Sequence, residues 1–269
     1  MVHDALTDRD FAGFQRLVKS VAGIHLAPAK KALVCGRLAK RLRQLQLDGY
    51  AAYLSLLQSG TNQSEVQVAL DLLTTNETHF FREPRHFSFL RDFAQVRGRQ
   101  SGAGFRVWSA ACSSGEEPYS IAIVLAEVLG DRVWEVLASD ISTRVLEQAR
   151  LARYPMARAQ TIPEAVLRRF CLRGVGSQEG SFCVLPDLQA RVSFRQINLN
   201  VPLPSLGQFD VIFLRNVMIY FDASTKRQVV GRLLGALRPG GYLLVGHSET
   251  LNGIADELRV LSPSIYQKP

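Results

Sequence analysis

The chain has 269 residues, 47% of them apolar, and a formal net charge of +8 at pH 7. That length fits one large domain or a domain with a smaller companion, and the apolar fraction excludes a disordered chain. No run approaches the roughly 18 apolar residues of a membrane span, and the acidic start MVHDALTDRDF does not read as a secretory signal. Four scattered cysteines, Cys35, Cys112, Cys171 and Cys183, form no CxxC pair, which fits reduced thiols in the cytoplasm. The five histidines, His3, His25, His79, His86 and His247, show no metal-ligand spacing, so no metal site is expected. The positive charge attracts polyanions or acidic protein surfaces without choosing between them.

Residues 1–75 read as a helical domain. Thr7 or Asp8 caps a helix to about Val21, and Pro28 opens a second helix to about Leu47. In that second helix Leu33, Val34, Leu38, Leu42 and Leu45 recur at helical spacing. It carries Lys30, Lys31, Arg37, Lys40, Arg41 and Arg43 and no acid, so it is either a solvated face or a docking face for an acidic partner. Two more helices follow, over 50–57 and 64–73. Residues 76–104 form a linker that begins inside the polar, aromatic joint TTNETHFFREPR (74–85). It continues as a short helix to about Val96 and ends in a basic loop over 98–104.

An α/β pattern occupies 105–269. Strands are expected at 105–110, 134–139, 192–197, 209–214 and 241–246, and helices at 116–129, 142–150, 163–171 and 223–237. Such alternation predicts an α/β fold with a doubly wound, mostly parallel, Rossmann-like sheet. A last strand over 258–267 is expected at the edge, antiparallel. The glycine-rich run RGVGSQEGSFCV (173–184) reads as a small β-hairpin subdomain inserted at about 172–191.

The chemistry concentrates at strand ends. The first strand runs into Ala111-Cys112-Ser113-Ser114-Gly115-Glu116-Glu117, and the second ends on Asp140. A strand, a small-residue loop, a helix and then an acid at the next strand's tip form the frame in which open α/β sheets hold a nucleoside, the acid accepting from ribose hydroxyls. The loop is not GxGxxG. Glu116 and Glu117 stand where a pyrophosphate would meet the helix N-terminus, and would repel it. They complement the helix dipole, or they attract a cationic ligand such as the ammonium of S-adenosylmethionine, which has no phosphate. Arg215 and Asn216 end the strand at 209–214, an odd pair for a core strand. Tyr220 faces the site or fills the core. Some amino-group methyltransferases carry Asn-Pro-Pro-Tyr here. Asn216-Val217-Met218-Ile219-Tyr220 stands instead, which argues against a neutral amine acceptor. His247 with Ser248 lacks the G-x-S-x-G elbow of a hydrolase.

The strings TTNETHFFREP, VWSAACSSGEEPYSIA, ASDIS, FLRNVMIYFD and LLVGHSE closely resemble those of the chemotaxis receptor glutamate O-methyltransferases, the CheR-type family. The resemblance covers nearly the whole chain. It implies S-adenosylmethionine as methyl donor, S-adenosylhomocysteine as product, and glutamate side chains of chemoreceptor cytoplasmic helices as acceptors. It implies cofactor contacts from Asn76, Thr78 and Arg82 in the linker, Glu117 near the methionine moiety, and Asp140 on the ribose. Asn198 and Leu199 are implied on the adenine side, with Arg215 and Asn216 at the next strand's end. Arg82 and Tyr220 resemble the catalytic pair beside the sulfonium and the carboxylate. In many members the inserted subdomain binds the receptor's C-terminal peptide as an added strand, and the Gly174, Gly176, Gly180 loop resembles that form. The competing readings are a nucleic-acid methyltransferase, disfavoured because no RRM or KH signature is present, and a non-catalytic cofactor-binding scaffold. Neither nucleic acid nor direct membrane insertion is expected.

Overall fold

The computed structural model describes residues 5–60, 62–100 and 104–269. They fall into two compact units, Met1–Thr75 with Tyr220–Lys226, and Asn76–Ile219 with Arg227–Pro269.

The first unit is helical: α1 (Asp8–Ala22), α2 (Lys31–Gln44), α3 (Tyr50–Gln58) and α4 (Gln63–Leu73). Thr7 starts α1, its hydroxyl accepting the Asp10 N–H at 3.1 Å. Pro28 opens a 3-10 turn rather than the helix itself, and α2 begins three residues later at Lys31. It also stops short of Leu47, because Gln46 takes a left-handed φ of 54° that breaks the hydrogen-bond ladder. Val34, Leu38 and Leu42 form its buried stripe. Its basic face is partly consumed inside the unit. Arg37 donates to the carbonyls of Leu73 (2.8 Å) and Thr74 (2.9 Å), and Arg41 pairs with buried Glu65, which also accepts from Tyr53. Lys31 pairs with exposed Asp8. Lys30, Lys40 and Arg43 stay exposed, with no acidic partner among the described residues. The Tyr220 carbonyl accepts the His25 N–H at 2.7 Å, and Lys19 pairs with Asp222 at 2.8 Å, which ties 220–226 into this unit.

The second unit is built on a seven-stranded sheet. Its strands are β1 (Phe105–Ser109), β2 (Trp134–Asp140), β6 (Val192–Gln196), β7 (Phe209–Leu214), β8 (Leu237–Val245), β9 (Arg259–Ser262) and β10 (Ile265–Gln267), in the order β6-β2-β1-β7-β8-β10-β9. Strands β6 to β8 of that order run parallel and β10 and β9 are antiparallel. β1 is the switch point: the chain builds outward on one side through β2 and β6, then returns to build β7 and β8 on the other. β7 is buried along its whole length, as a central parallel strand must be. The helices are α5 (Pro84–Gln100), α6 (Glu116–Leu129), α7 (Thr143–Leu151), α8 (Glu164–Phe170), the single turn α9 (Pro186–Gln189) and α10 (Ala223–Ala236).

Four further expectations need correction. The helix after the joint does not end near Val96 but continues to Gln100, so the basic loop expected at 98–104 is helical in its first part; 101–103 lie outside the described residues. Gly98 in that helix lets it approach α6, since a Cβ there would meet Leu129 at 2.4 Å. The inserted hairpin is a three-stranded antiparallel sheet, order β3-β5-β4, in which β4 (Cys171–Arg173) and β5 (Ser181–Val184) recruit β3 (Arg153–Pro155) from before the expected boundary. Three residues ending in proline carry no readable period, so only the pairing identifies them as a strand. The C-terminal strand is two, β9 and β10, turned at Ser264 with a φ of 67°. β8 starts earlier than expected, at Leu237, and has an irregular register against β7.

Candidate functional site

The site is at the carboxyl ends of β1, β2 and β7, all within the second unit. After β1 the loop returns to the sheet: Ala110 N–H donates to Phe213 carbonyl (2.9 Å) and Cys112 N–H to Ser139 carbonyl (2.8 Å). Ser113 follows with a φ of 50°, then Gly115 with 97°. Only glycine fits there, because a Cβ on Gly115 would meet the Tyr154 hydroxyl at 2.8 Å and Ala149 Cβ at 2.9 Å. The small residues that the sequence offers at this loop thus serve a close chain approach.

Asp140 closes the loop from the tip of β2. One carboxylate oxygen accepts the Ser113 N–H at 2.9 Å and the other the Ser142 N–H at 3.0 Å. Ser113 Oγ in turn donates to the Asn76 carbonyl at 2.9 Å, bringing the linker residue to the same loop. Asp140 is buried but not sealed, at 8% exposure. β6 delivers its end beside Asp140: Ile197 N–H donates to the Asp140 carbonyl at 3.1 Å, followed by Asn198 and buried Leu199. The Leu199 carbonyl is pinned by Arg232 at 3.0 Å.

On the other side lies a buried charge chain. Arg215, 5% exposed, donates to Glu117 at 2.8 Å, sits 3.0 Å from Glu83 Oε2, and donates to the Arg82 carbonyl. The opposite oxygen of Glu117 accepts from Ser109 at 2.7 Å. Glu83 also accepts the His247 N–H at 3.1 Å. Burial works to raise the Glu83 carboxyl, but Arg215 and that N–H outweigh it and hold the group below its ordinary range. Asn216, at a φ of 57°, gives its N–H to Glu249 at 2.8 Å; the same carboxylate accepts from Gly246 (2.7 Å) and Ile219 (3.2 Å). Arg82 is half-buried and its guanidinium donates to the Glu77 carbonyl at 3.0 Å. The Thr78 carbonyl accepts from Arg158 at 2.6 Å.

Glu116 separates from its neighbour in role. It is 1% exposed, takes a hydrogen bond from Ser114 and lies 3.4 Å from Arg158. Burial raises its carboxyl. Burial also lowers His79, helped by Arg82, Arg215 and Arg158, the positive field expected of a site that receives anions.

The structure therefore brings Asn76, Glu117, Asp140, Arg215, Asn216, Asn198 and Leu199 to strand ends of one unit, with Thr78 and Arg82 on the linker of that unit. Tyr220 belongs by its packing to the helical unit. Two carboxylates that organise the rim, Glu83 and Glu249, were not singled out from sequence. Glu83 stands beside Arg82 in the joint, and Glu249 follows His247-Ser248, so both lay inside strings already read for other residues.

An open sheet with a nucleoside crevice at its switch point, and acids where a pyrophosphate would otherwise sit, defines the S-adenosylmethionine-dependent methyltransferase class. Residues 76–266 match the CheR methyltransferase SAM-binding domain, and 9–74 match the CheR methyltransferase all-alpha domain. The chain belongs to the CheR methyltransferase family. The chemotaxis protein methyltransferase of Salmonella typhimurium is 43% identical over 269 residues, covering 97% of this chain and 91% of the relative. That of Escherichia coli is 42% identical with the same coverages, and chemotaxis protein methyltransferase 2 of Pseudomonas aeruginosa is 42% identical over 97% of this chain and 93% of its own. Among solved structures, the glycopeptide N-methyltransferase MtfA complexed with S-adenosyl-L-methionine is 21% identical, covering 59% of this chain and 53% of that one, at a TM-score of 0.35. The cofactor is S-adenosylmethionine, and no helix among the described residues is long and apolar enough to cross a membrane.

Proposed function

We propose that this protein methylates glutamate side chains on the cytoplasmic helices of chemoreceptors, forming glutamyl methyl esters. Near full-length similarity to chemotaxis protein methyltransferases supports the setting. The observation that carries the chemistry is the pair of buried carboxylates Asp140 and Glu117 at the strand ends, where a phosphate would be repelled and a cationic ligand drawn in. A glutamate with an ordinary pKa near 4.3 is already ionised at neutral pH, so this acceptor needs no general base.

Asp140, Asn198 and Leu199 are proposed to hold the nucleoside, and Glu117 the ammonium, since its carboxylate retains lone pairs beyond Ser109 and Arg215. Asn76, Thr78, Arg82 and Asn216 are proposed as further contacts. Arg215, mostly spent on Glu117, Glu83 and the Arg82 carbonyl, orients Glu117 and the Arg82 backbone as well as bordering the site. S-adenosylmethionine, when bound, supplies an electrophilic methyl group on a sulfonium. Arg82 and Tyr220 are the residues proposed to meet the incoming carboxylate. Arg82 positions it by charge-assisted hydrogen bonds without quenching it, because its guanidinium is half-exposed and already shares one donor with Glu77.

The exposed Lys30, Lys40 and Arg43 are proposed to meet an acidic partner face. The glycine loop is proposed to take the receptor's terminal peptide on the small sheet. Gly174 there admits no side chain, as a Cβ would meet the Gln178 carbonyl at 2.0 Å. The test is transfer of labelled methyl groups to receptor-bearing membranes, followed by mild alkali. Base-labile release of methanol is expected of an ester. Alkali-stable label, or label on RNA instead, would overturn the reading.

A further inference from the structure

His247, in the segment after β8, is distant in sequence from Glu83 and His86 but meets them at the end of the joint. One ligand atom from each of the three lies within 4.8 Å of the others. His86 is buried, with 1% of its side chain exposed, and its Nδ1 is the buried side-chain atom without a hydrogen-bond partner among the described residues. The other ring nitrogen explains which proton it lacks. Ser264 donates its hydroxyl hydrogen to the Pro263 carbonyl at 2.5 Å, so at 2.7 Å from His86 Nε2 its oxygen accepts the ring N–H. Nδ1 then carries a lone pair. That lone pair faces Glu83 Oε2 at 3.3 Å, and His247 Nε2 stands 3.9 Å from the same oxygen. A cation placed among them would give His86 Nδ1 the partner it lacks and would share Glu83 Oε2 with Arg215.

We propose that Glu83 Oε2, His86 Nδ1 and His247 Nε2 form a binding site for one divalent transition-metal ion of the zinc class. Two imidazoles and a carboxylate are a recurrent set for such ions, with water completing the sphere. Ligand atoms about 2.0–2.1 Å from a tetrahedral ion lie roughly 3.3 Å apart; His86 and Glu83 already stand at 3.3 Å, while His247, at 3.9 Å from Glu83, would have to move inward. His247, half-exposed on the segment after β8, supplies the small remaining adjustment. The His86 N–H to Ser264 is the outer hydrogen bond that fixes the tautomer of a ligating histidine. Arg215, 3.0 Å from Glu83 Oε2, opposes the ion, but Glu117 balances Arg215, and Glu83 leaves the group with one net negative charge. Binding is therefore weaker than at a dedicated structural site. The site rests on none of the methyl-transfer steps, although it shares Glu83 with the clamp behind Arg82.

The experiment strips the full-length protein with a chelator and titrates Co²⁺, then Zn²⁺ in competition. One equivalent of Co²⁺ with visible bands of a four-coordinate nitrogen–oxygen site, displaced by Zn²⁺, is expected. His247→Ala, an exposed position, should keep the fold by circular dichroism and weaken binding at least about tenfold; His86→Asn serves as the buried counterpart. Unchanged affinity in His247→Ala, no stoichiometric binding, or near-ultraviolet thiolate bands showing cysteine ligation would each overturn the proposal. Calorimetry with S-adenosylhomocysteine on the same samples reads the cofactor site separately.

Discussion

The two units handle buried charge differently. In the helical unit the buried carboxylate Glu65 is enclosed by Arg41 and Tyr53 on neighbouring helices, and Gln46 is the non-glycine residue with a left-handed φ among its described helical segments. At the rim of the sheet, Glu117, Glu83 and Glu249 converge on Arg215 and on backbone donors, and Phe81, Glu83, Ser113 and Asn216 all take positive φ. Helix packing needs one ion pair to fix a register. The rim needs several strained residues held in a polar cluster, the arrangement that functional sites maintain against its energetic cost.

The sharpest way to break this comparison is Arg215→Met. It leaves Glu117 and Glu83 buried without their common cation, and the second unit should lose about 3–5 kcal/mol of stability. Arg41→Met leaves Glu65 with Tyr53 and should lower the helical unit by only about 1–3 kcal/mol. Site-resolved hydrogen exchange reads the two units separately, and equal losses would erase the distinction. Arg82→Ala should leave hydrogen exchange nearly unchanged while lowering methyl transfer roughly a hundredfold; near-normal turnover would remove Arg82 from the chemistry. Asp140→Ala should weaken S-adenosylhomocysteine binding by roughly ten- to a hundredfold, through one or two lost hydrogen bonds to a charged group. Calorimetry that finds affinity unaltered would move the ribose elsewhere.

The smallest effect belongs to the helical unit. Hydrogen bonding from Arg41 outweighs burial and holds the Glu65 carboxyl below its ordinary 4.5. A lowered folded pKa stabilises above the unfolded value, so the contribution is complete above about pH 4.5 and fades as pH falls through the folded value. Glu65→Gln should flatten that acid limb in an exchange or melting series; an unchanged acid limb would assign it to other carboxylates.

The sequence made the parallel strands legible because buried strands such as 209–214 read as unbroken apolar runs, and it made the loop at 111–117 legible because small residues and acids there have a local meaning. The family strings suggested residue roles that spacing alone could not. Local pattern failed where structure depends on a distant partner. β3 is a strand only because β5 pairs with it, and the basic face of α2 is reduced because Arg37 and Arg41 find acceptors at the ends of α4.

What the sequence alone determined was the order of elements, the sheet type and the identity of the acids at the strand tips, all set by periodicity and by nearest neighbours along the chain. Only tertiary structure decided that Glu83, Glu117 and Arg215 form one clamp, that Glu249 holds the Asn216 turn, and that His86 and His247 meet Glu83. Those groupings join residues far apart in the chain, and the direction of a hydrogen bond or a lone pair exists only once folding has fixed both partners in space.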